Sequence, residues 1–379
     1  MEQFIFKHTW FLLYYIFRFL GIYPLQRDGE VNLKLTSTCA YWFRYICTII
    51  VVTTIQILGQ MCLLSVEKID AYEFFKAFTK VGVSTSSMDV IVQLTHMIVF
   101  GTLNFIDTAI LRNFAKGMTT VQQYINKNAM INYQELKRQM KYSSLRIIPC
   151  FLLFIIGQFF VLIGVFYQIK STIHISTFSA NVLIFIYFLP TLVFNAPLWY
   201  FIFAYVELHA LMNVWCDEIK KFKEPKILLF EQAKYFIDGL NEVANCFSCF
   251  LFWIISCGQL LVIFSAYYIL TSSYNIDPRW EKICLVIGFA VTELSFIYML
   301  YGMCTVSEHV AKNVQELKKV LLNIEFETGQ SNSVCLMLDD FHGFDADGYF
   351  TLNHSLLTGM TTNFLTFLVI LVQFKQSGI

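Results

Sequence analysis

The sequence predicts an all-α membrane protein with seven transmembrane helices, and three observations carry that reading. Of 379 residues, 57% are hydrophobic and only 14% charged, where a soluble globular domain carries roughly 25% charged residues. Mean hydropathy is +0.58. Seven stretches reach the roughly 20 mostly apolar residues that a helix needs to cross a bilayer. With 39 Phe, 20 Tyr and only 6 Pro, the composition excludes a disordered, collagenous or low-complexity chain. Lys+Arg (27) balances Asp+Glu (27), so no basic excess points to nucleic acid as a partner.

The apolar run from Thr9 to Phe17 is interrupted by Arg18 and lacks a small-x-small cleavage site, which argues against a signal peptide. Phe11, Leu12, Tyr15, Phe19 and Leu20 fit a helix ended by Gly21 and Pro24, either lying at the membrane surface or packed as an ordinary N-terminal helix. Residues 1–38 are expected to form a cytoplasmic tail. The spans follow at 39–64, 74–106, 147–169, 179–206, 245–270, 282–307 and 354–374. The second is the least apolar, holding Lys76, Lys80, Asp89, Gln93 and His96. Spans 1 to 6 with their extensions occupy 39–325, a link runs over 326–353, and 354–379 holds the last span and the C-terminal tail.

Orientation follows from the Lys and Arg in the segments between spans, because cytoplasmic segments carry the excess. The N-terminal tail and the segments after spans 2, 4 and 6 hold nineteen, against five on the other side. The N-terminus is therefore expected in the cytoplasm and the C-terminus outside, the reverse of a G-protein-coupled receptor. Three cytoplasmic segments continue their spans with apolar residues alternately four and three apart. These are Leu208, Met212, Trp215, Ile219 and Phe222 after span 4; Leu229, Ala233, Phe236, Leu240, Val243 and Phe247 before span 5; and Val310, Val314, Leu317, Leu321 and Ile324 after span 6. Such seams predict helical anchor extensions beneath the membrane, packed within one chain or between chains.

All 11 cysteines lie in or near spans or on the cytoplasmic side, so they read as small packing residues rather than a disulfide framework or zinc site. No HExxH, phosphate loop or nucleophile elbow occurs, so neither an enzyme nor a cofactor is implied. Asp345-Ala346-Asp347-Gly348 lacks the remaining ligands of a calcium loop and reads as a turn. Asn353-His354-Ser355 matches a glycosylation acceptor but falls on the cytoplasmic side.

Ionisable groups inside a bilayer are costly, which makes Asp89 and His96 in span 2 and Glu293 in span 6 candidates for function. Asp89, Gln93 and His96 share one helical face. Gln158, Tyr167, Asn181, Tyr187, Gln259 and Tyr267 supply polar anchors and aromatic walls of the kind that hold an amphipathic organic ligand. The competing reading for each is a polar or aromatic residue that simply holds helices together.

In the last span, Asn353 is placed to cap the first turn, and Thr366, Ile370, Gln373 and Phe374 follow helical spacing on one side. A bulky aliphatic residue one turn inside an amide suits a narrow pore, with a constriction that dewets and a ring that replaces ion hydration. One helix cannot enclose a pore, so this reading requires several copies of the chain. A terminal helix packed in a bundle fits the same pattern.

The segment Thr366-Phe367-Leu368-Val369-Ile370-Leu371-Val372-Gln373-Phe374 resembles the C-terminal signature of insect gustatory receptors, with Phe367 where that family usually has Tyr. Gly348-Tyr349-Phe350 and Leu20-Gly21-Ile22-Tyr23-Pro24 resemble two further elements of the same family. The resemblance implies a ligand-gated non-selective cation channel in the plasma membrane of chemosensory neurons, opened by a small-molecule tastant. It also implies a homotetramer or heteromer in which span 7 lines the pore. The cytoplasmic extensions are then a shared anchor, and the ligand pocket lies in the outer half of spans 2 to 6. On that implication Ile370 and Phe374 are constriction candidates and Gln373 lines the outer pore. An insect odorant receptor subunit and a metabotropic seven-helix receptor are the alternatives.

Overall fold

Helices make up nearly all of the chain described by the computed structural model, which covers residues 25–28, 32–35, 38–80, 133–188, 226–273, 280–322, 341–376 without 342 and 347, and single positions between 192 and 217. The helices are α1 (Thr38–Glu67), α2 (Ala71–Lys80), α3 (Tyr133–Ile173), α4 (Thr177–Phe188), α5 (Lys226–Ser273), α6 (Trp280–Leu322) and α7 (His354–Gln376). Four of them hold stretches long and apolar enough to cross a membrane: Ile46–Glu67, Ile147–Ile173, Trp280–Lys319 and His354–Gln373. A bent pair in α5, Leu240–Cys249 with Ile254–Tyr267, makes a fifth. These agree with predicted spans 1, 3, 6, 7 and 5. Helix α4 is the start of span 4, and span 2 beyond Lys80 lies outside the described residues, as does the N-terminal helix expected before Gly21.

One element departs from the all-helical expectation. Strands β1 (Leu25–Asp28) and β2 (Asn32–Leu35) pair antiparallel within the tail, with Leu25 opposite Leu35 and Asp28 opposite Asn32. The Asp28-Gly29 dipeptide at the end of β1 is a hairpin signal, but four residues per strand is too short for alternation to stand out.

Helices α3, α5 and α6 run for 41, 48 and 43 residues. At 1.5 Å per residue each is roughly 60–70 Å long, about twice the hydrocarbon thickness. The surplus forms the extensions. The predicted seam residues Leu240, Phe247, Val310, Val314 and Leu317 are all buried inside the single chain, together with Ala210, Val214 and Ile237. Those positions are therefore spent on packing within the subunit, contrary to a subunit-joining role for them. Helix α3 carries an extension of its own from Tyr133, which was not apparent in the sequence because Arg138, Lys141, Ser143 and Ser144 dilute its apolar spacing.

Helices α3 and α6 form the most extensive pair, and glycine makes their close approach possible. A methyl group on Gly157 would stand 2.6 Å from Thr292 Oγ1, and one on Gly288 would stand 2.6 Å from Val161 N. A second core joins α1 to α4 at the end where α1 and α3 finish, around Leu64, Phe74, Phe166, Ile169 and Leu183. Outward, α1 presents Ile50, Ile55, Leu58 and Met61, the apolar surface that a lipid-facing helix needs.

The helix ends are locally encoded. Asp70 Oδ1 accepts the Tyr72 amide at 3.0 Å to cap α2, and Ser176 Oγ accepts the Ser179 amide at 3.1 Å to cap α4. Helix α1 stops with Ile69 N donating to Leu64 O at 2.9 Å and Lys68 N to Ser65 O at 3.2 Å, the Schellman pattern. This places Lys68 at φ 56, a left-handed conformation that disfavours any residue with a Cβ. Lys68→Gly should therefore stabilise the fold by about 0.5–1 kcal/mol, seen as a higher unfolding midpoint in detergent. An unchanged or lower midpoint would show that the side chain supplies a compensating contact.

Candidate functional site

The end of the bundle where α1 and α3 finish and α4 and α6 begin gathers polar and aromatic side chains. The Glu67 carboxylate at the end of α1 accepts the Ser176 amide at 3.2 Å and the hydroxyls of Ser176 and Ser179, an anion seated at the N-terminus of α4. Tyr167 on α3 donates to Asn181 Oδ1 on α4 at 3.0 Å, and its ring meets Trp280 edge-on at 4.5 Å. Lys170 lies 5.4 Å from the same ring. Tyr187 donates to Gln60 Oε1 at 2.8 Å and packs on Phe166 at 5.0 Å. Gln168 Oε1 and Glu281 Oε2 are buried and have no hydrogen-bond partner among the described residues.

Of the residues singled out in the sequence, Tyr167 and Asn181 are thus brought into direct contact, with Tyr187 on the neighbouring face of α4. Gln158 instead donates to Thr292 at 3.4 Å in the α3–α6 seam, and Gln259 reaches Met360 O of α7 at 3.5 Å. Tyr267 is buried in α5. Glu293 lies on α6, its Oε1 buried without a partner among the described residues. Asp89, Gln93 and His96 lie outside the described residues. Glu67, Trp280, Gln168 and Glu281 were missed, since each acquires its meaning only from a partner far away in sequence.

Helix α7 is held at its lower end. Asn353 Oδ1 accepts the Leu356 amide at 2.9 Å, the N-cap expected from the sequence. Glu308 on α6 adds a second cap, accepting the His354 amide and His354 Nδ1, each at 2.6 Å. Before the cap, the turn expected ahead of Tyr349 does form: Tyr349 N donates to Ala346 O at 3.0 Å and Gly348 sits at φ 76. The turn buries Phe341, Phe344 and Leu352, and Phe344 N donates to Ser307 on α6 at 3.3 Å. Tyr349 and Phe350 lie against Phe252 of α5 at 4.8 and 6.1 Å. The Gly-Tyr-Phe segment therefore fastens the foot of α7 to α5, and the Phe344 amide fastens it to α6.

Above this foot α7 packs against α5 and α6 through Leu357, Met360, Phe364, Leu368, Leu371 and Val372, which are partly buried. Thr358, Thr362, Thr366, Ile370 and Gln373 are exposed and, at 3.6 residues per turn, lie on the opposite face. Each threonine hydroxyl donates back one turn: Thr358 to His354 O at 3.4 Å, Thr362 to Thr358 O at 3.0 Å and Thr366 to Thr362 O at 2.9 Å. Their oxygen lone pairs are left facing outward. The side chain of Phe374 is outside the described set.

Beneath the membrane the extensions are tied by a chain of amides and imidazoles. Asn313 donates to Asn213 Oδ1 at 2.8 Å, Asn213 Nδ2 to His209 Nε2 at 3.1 Å, and His309 Nδ1 lies 3.2 Å from the same His209 nitrogen. Burial, then the neighbouring His309, hold His209 down to about 4. A depressed histidine favours the neutral fold, so this contribution is complete above the ordinary histidine range, near 6.5, and declines as pH falls from there towards 4.

A family model described as the 7tm chemosensory receptor matches residues 11–378. The chain belongs to that chemosensory receptor family. Among solved structures the receptor is similar to the insect olfactory receptor OR5 from Machilis hrabei in complex with eugenol, at 13% identity and a TM-score of 0.66, covering 97% of this chain and 99% of that one. The structure of the same OR5 without a named ligand matches at 12% identity, also with a TM-score of 0.66 and the same coverage. No curated protein matches the receptor by sequence. The likeness establishes the seven-transmembrane chemoreceptor fold, and family membership makes the chain a multi-pass membrane receptor rather than an enzyme.

Proposed function

We propose that the receptor is a gustatory receptor, a ligand-gated non-selective cation channel opened by a small external tastant in the plasma membrane of chemosensory neurons. Its N-terminus is cytoplasmic, its C-terminus external, and four subunits, identical or related, each set α7 around a central pore. The observation that carries this reading is the exposed threonine stripe on α7. A polar stripe is poorly suited to lipid, and outward hydroxyl oxygens suit partly hydrated cations. Packing on α5 and α6 covers only one side of α7, and none of its most apolar window is fully buried inside the subunit, so the opposite side is left for lipid and neighbouring subunits.

Thr366, Ile370, Gln373 and Phe374 are the proposed pore residues, with Ile370 as the gate. The ligand site is assigned to Tyr167, Asn181 and Tyr187, with Asp89, Gln93, His96, Gln158, Gln259, Tyr267 and Glu293 as further candidates. The similar OR5 is described with eugenol, a compact phenol, and the Gln168 and Glu281 oxygens, which have no partner among the described residues, fit a hydroxyl-bearing ligand. This leans the assignment towards a bitter or plant secondary compound. An odorant receptor subunit is the second reading, favoured by the likeness to OR5; a ligand-evoked current recorded from cells expressing this chain alone would count against dependence on a co-receptor.

Cysteines introduced at Thr362 and Thr366, treated with a charged thiol reagent, should block the ligand-evoked current, and Leu368→Cys should not. Block at Leu368 alone would overturn the assignment of the pore face. Gln373→Ala should alter the relative permeability to monovalent and divalent cations, and identical reversal potentials would remove Gln373 from the pore lining.

A further inference from the structure

A cavity of about 320 Å³ lies between α3, α6 and the helical positions near 199–209, at the small end of the roughly 300–1,000 Å³ usual for ligand pockets. Its walls include Cys150, Trp199, Ile202, Met303 and Val306, and its polar groups are the tyrosines 298 and 301, Thr305, His209 and His309. It is distinct from the Tyr167–Asn181 site: Cys150 and Tyr167 are separated by about 25 Å along α3. In the proposed orientation it belongs to the cytoplasmic half of the bundle, since Ile147, His209 and His309 mark the inner ends of spans 3, 4 and 6.

The lining defines the occupant. No Asp, Glu, Lys or Arg among the described residues faces the cavity, so a charged compound would lose its hydration without a partner. Trp199 is buried, whereas Tyr298 and Tyr301 are 54% and 52% exposed, which leaves an entrance on the outer surface of the bundle. The entrance side is linked to α7: the Tyr301 ring lies 5.4 Å from that of His354, and Thr305 Oγ1 is 3.3 Å from His354 Nε2.

We propose that this cavity is a second small-molecule site, which takes an uncharged, largely apolar compound carrying a hydroxyl or comparable polar group and entering from the inner leaflet. An occupant there sits beside the anchor of α7 and can bias the gate only through unequal affinity for its open and closed arrangements.

Gly302 provides the test, because a Cβ at that position meets nothing within 4 Å and a larger side chain can enter the cavity without displacing the backbone. The full-length receptor in lipid nanodiscs is irradiated with the uncharged photolabel trifluoromethyl-aryldiazirine benzyl alcohol. The label loses dinitrogen and inserts as a carbene into a neighbouring bond, and adducts are mapped by mass spectrometry. Saturable labelling of Trp199, Tyr301 or Met303, competed by excess benzyl alcohol, is expected. It should be retained in Gly302→Ala and lost in Gly302→Phe and Val306→Trp, while labelling of lipid-facing Ile55 and Leu58 stays unchanged as the check on folding. Labelling that never saturates, as for a cavity filled by an acyl chain, or that survives both filling substitutions, overturns the site. The readout needs no current, so saturable binding to a receptor that does not conduct would uphold this site and overturn the channel reading. A conducting receptor without saturable labelling would do the reverse.

Discussion

Cells expressing Ile370→Ala should carry cation current before any tastant is added. In the proposed closed pore, the Ile370 side chains of the subunits meet at the axis and exclude water. Removing three carbons from each takes away about 2 kcal/mol of apolar burial per subunit. A shift of that size raises the open population by at least an order of magnitude even if one subunit's share alone reaches the gate. The expected recording is a steady current that survives tastant washout and reverses near 0 mV in symmetrical solutions. Basal current equal to wild type, at equal surface density, would move the gate elsewhere on α7. Ile370 is 39% exposed in the single subunit, so the substitution should leave the fold of the monomer intact.

The second large effect is expected at Glu308, which joins α6 to the foot of α7. Its carboxylate takes both the His354 amide and the His354 imidazole, at the end of α7 where the helix dipole favours a negative charge. Glu308→Ala removes a cap of the kind worth about 0.5–2 kcal/mol, while Asn353 still satisfies the Leu356 amide. The helix should therefore remain but lose its fixed connection to α6. Surface expression should be close to normal, and the tastant concentration for half-maximal current should shift several-fold, with Glu308→Gln in between because its amide oxygen still accepts. An unchanged dose response in Glu308→Ala would show that α6 does not transmit ligand binding through this contact.

What could be read from the sequence is what depends on neighbours along the chain. Spans 1, 3, 5, 6 and 7 were legible because a bilayer demands apolar length, and the Asn353 cap and the turn at Gly348 were legible because a cap and a turn are settled within a few residues. The buried seam of Val310, Val314 and Leu317 was visible as spacing, yet whether it packed inside the subunit was not. The pairs that shape the site join residues far apart: Glu67 with Ser176 and Ser179, Tyr187 with Gln60, Glu308 with His354. No local pattern encodes such a pair, since either member alone reads as an ordinary polar residue near a helix end. Gln158 and Gln259, ligand candidates in the sequence, each also reach a neighbouring helix, at Thr292 and Met360, a contact that no local pattern announces.

The central claim is that the receptor is itself a channel. The most direct test is whole-cell current from cells expressing this chain alone, challenged with sugars, alkaloids and phenols while G-protein signalling is blocked. The account predicts a ligand-evoked cation current that persists under the blockade. A ligand response that the blockade abolishes would contradict it and make the receptor metabotropic.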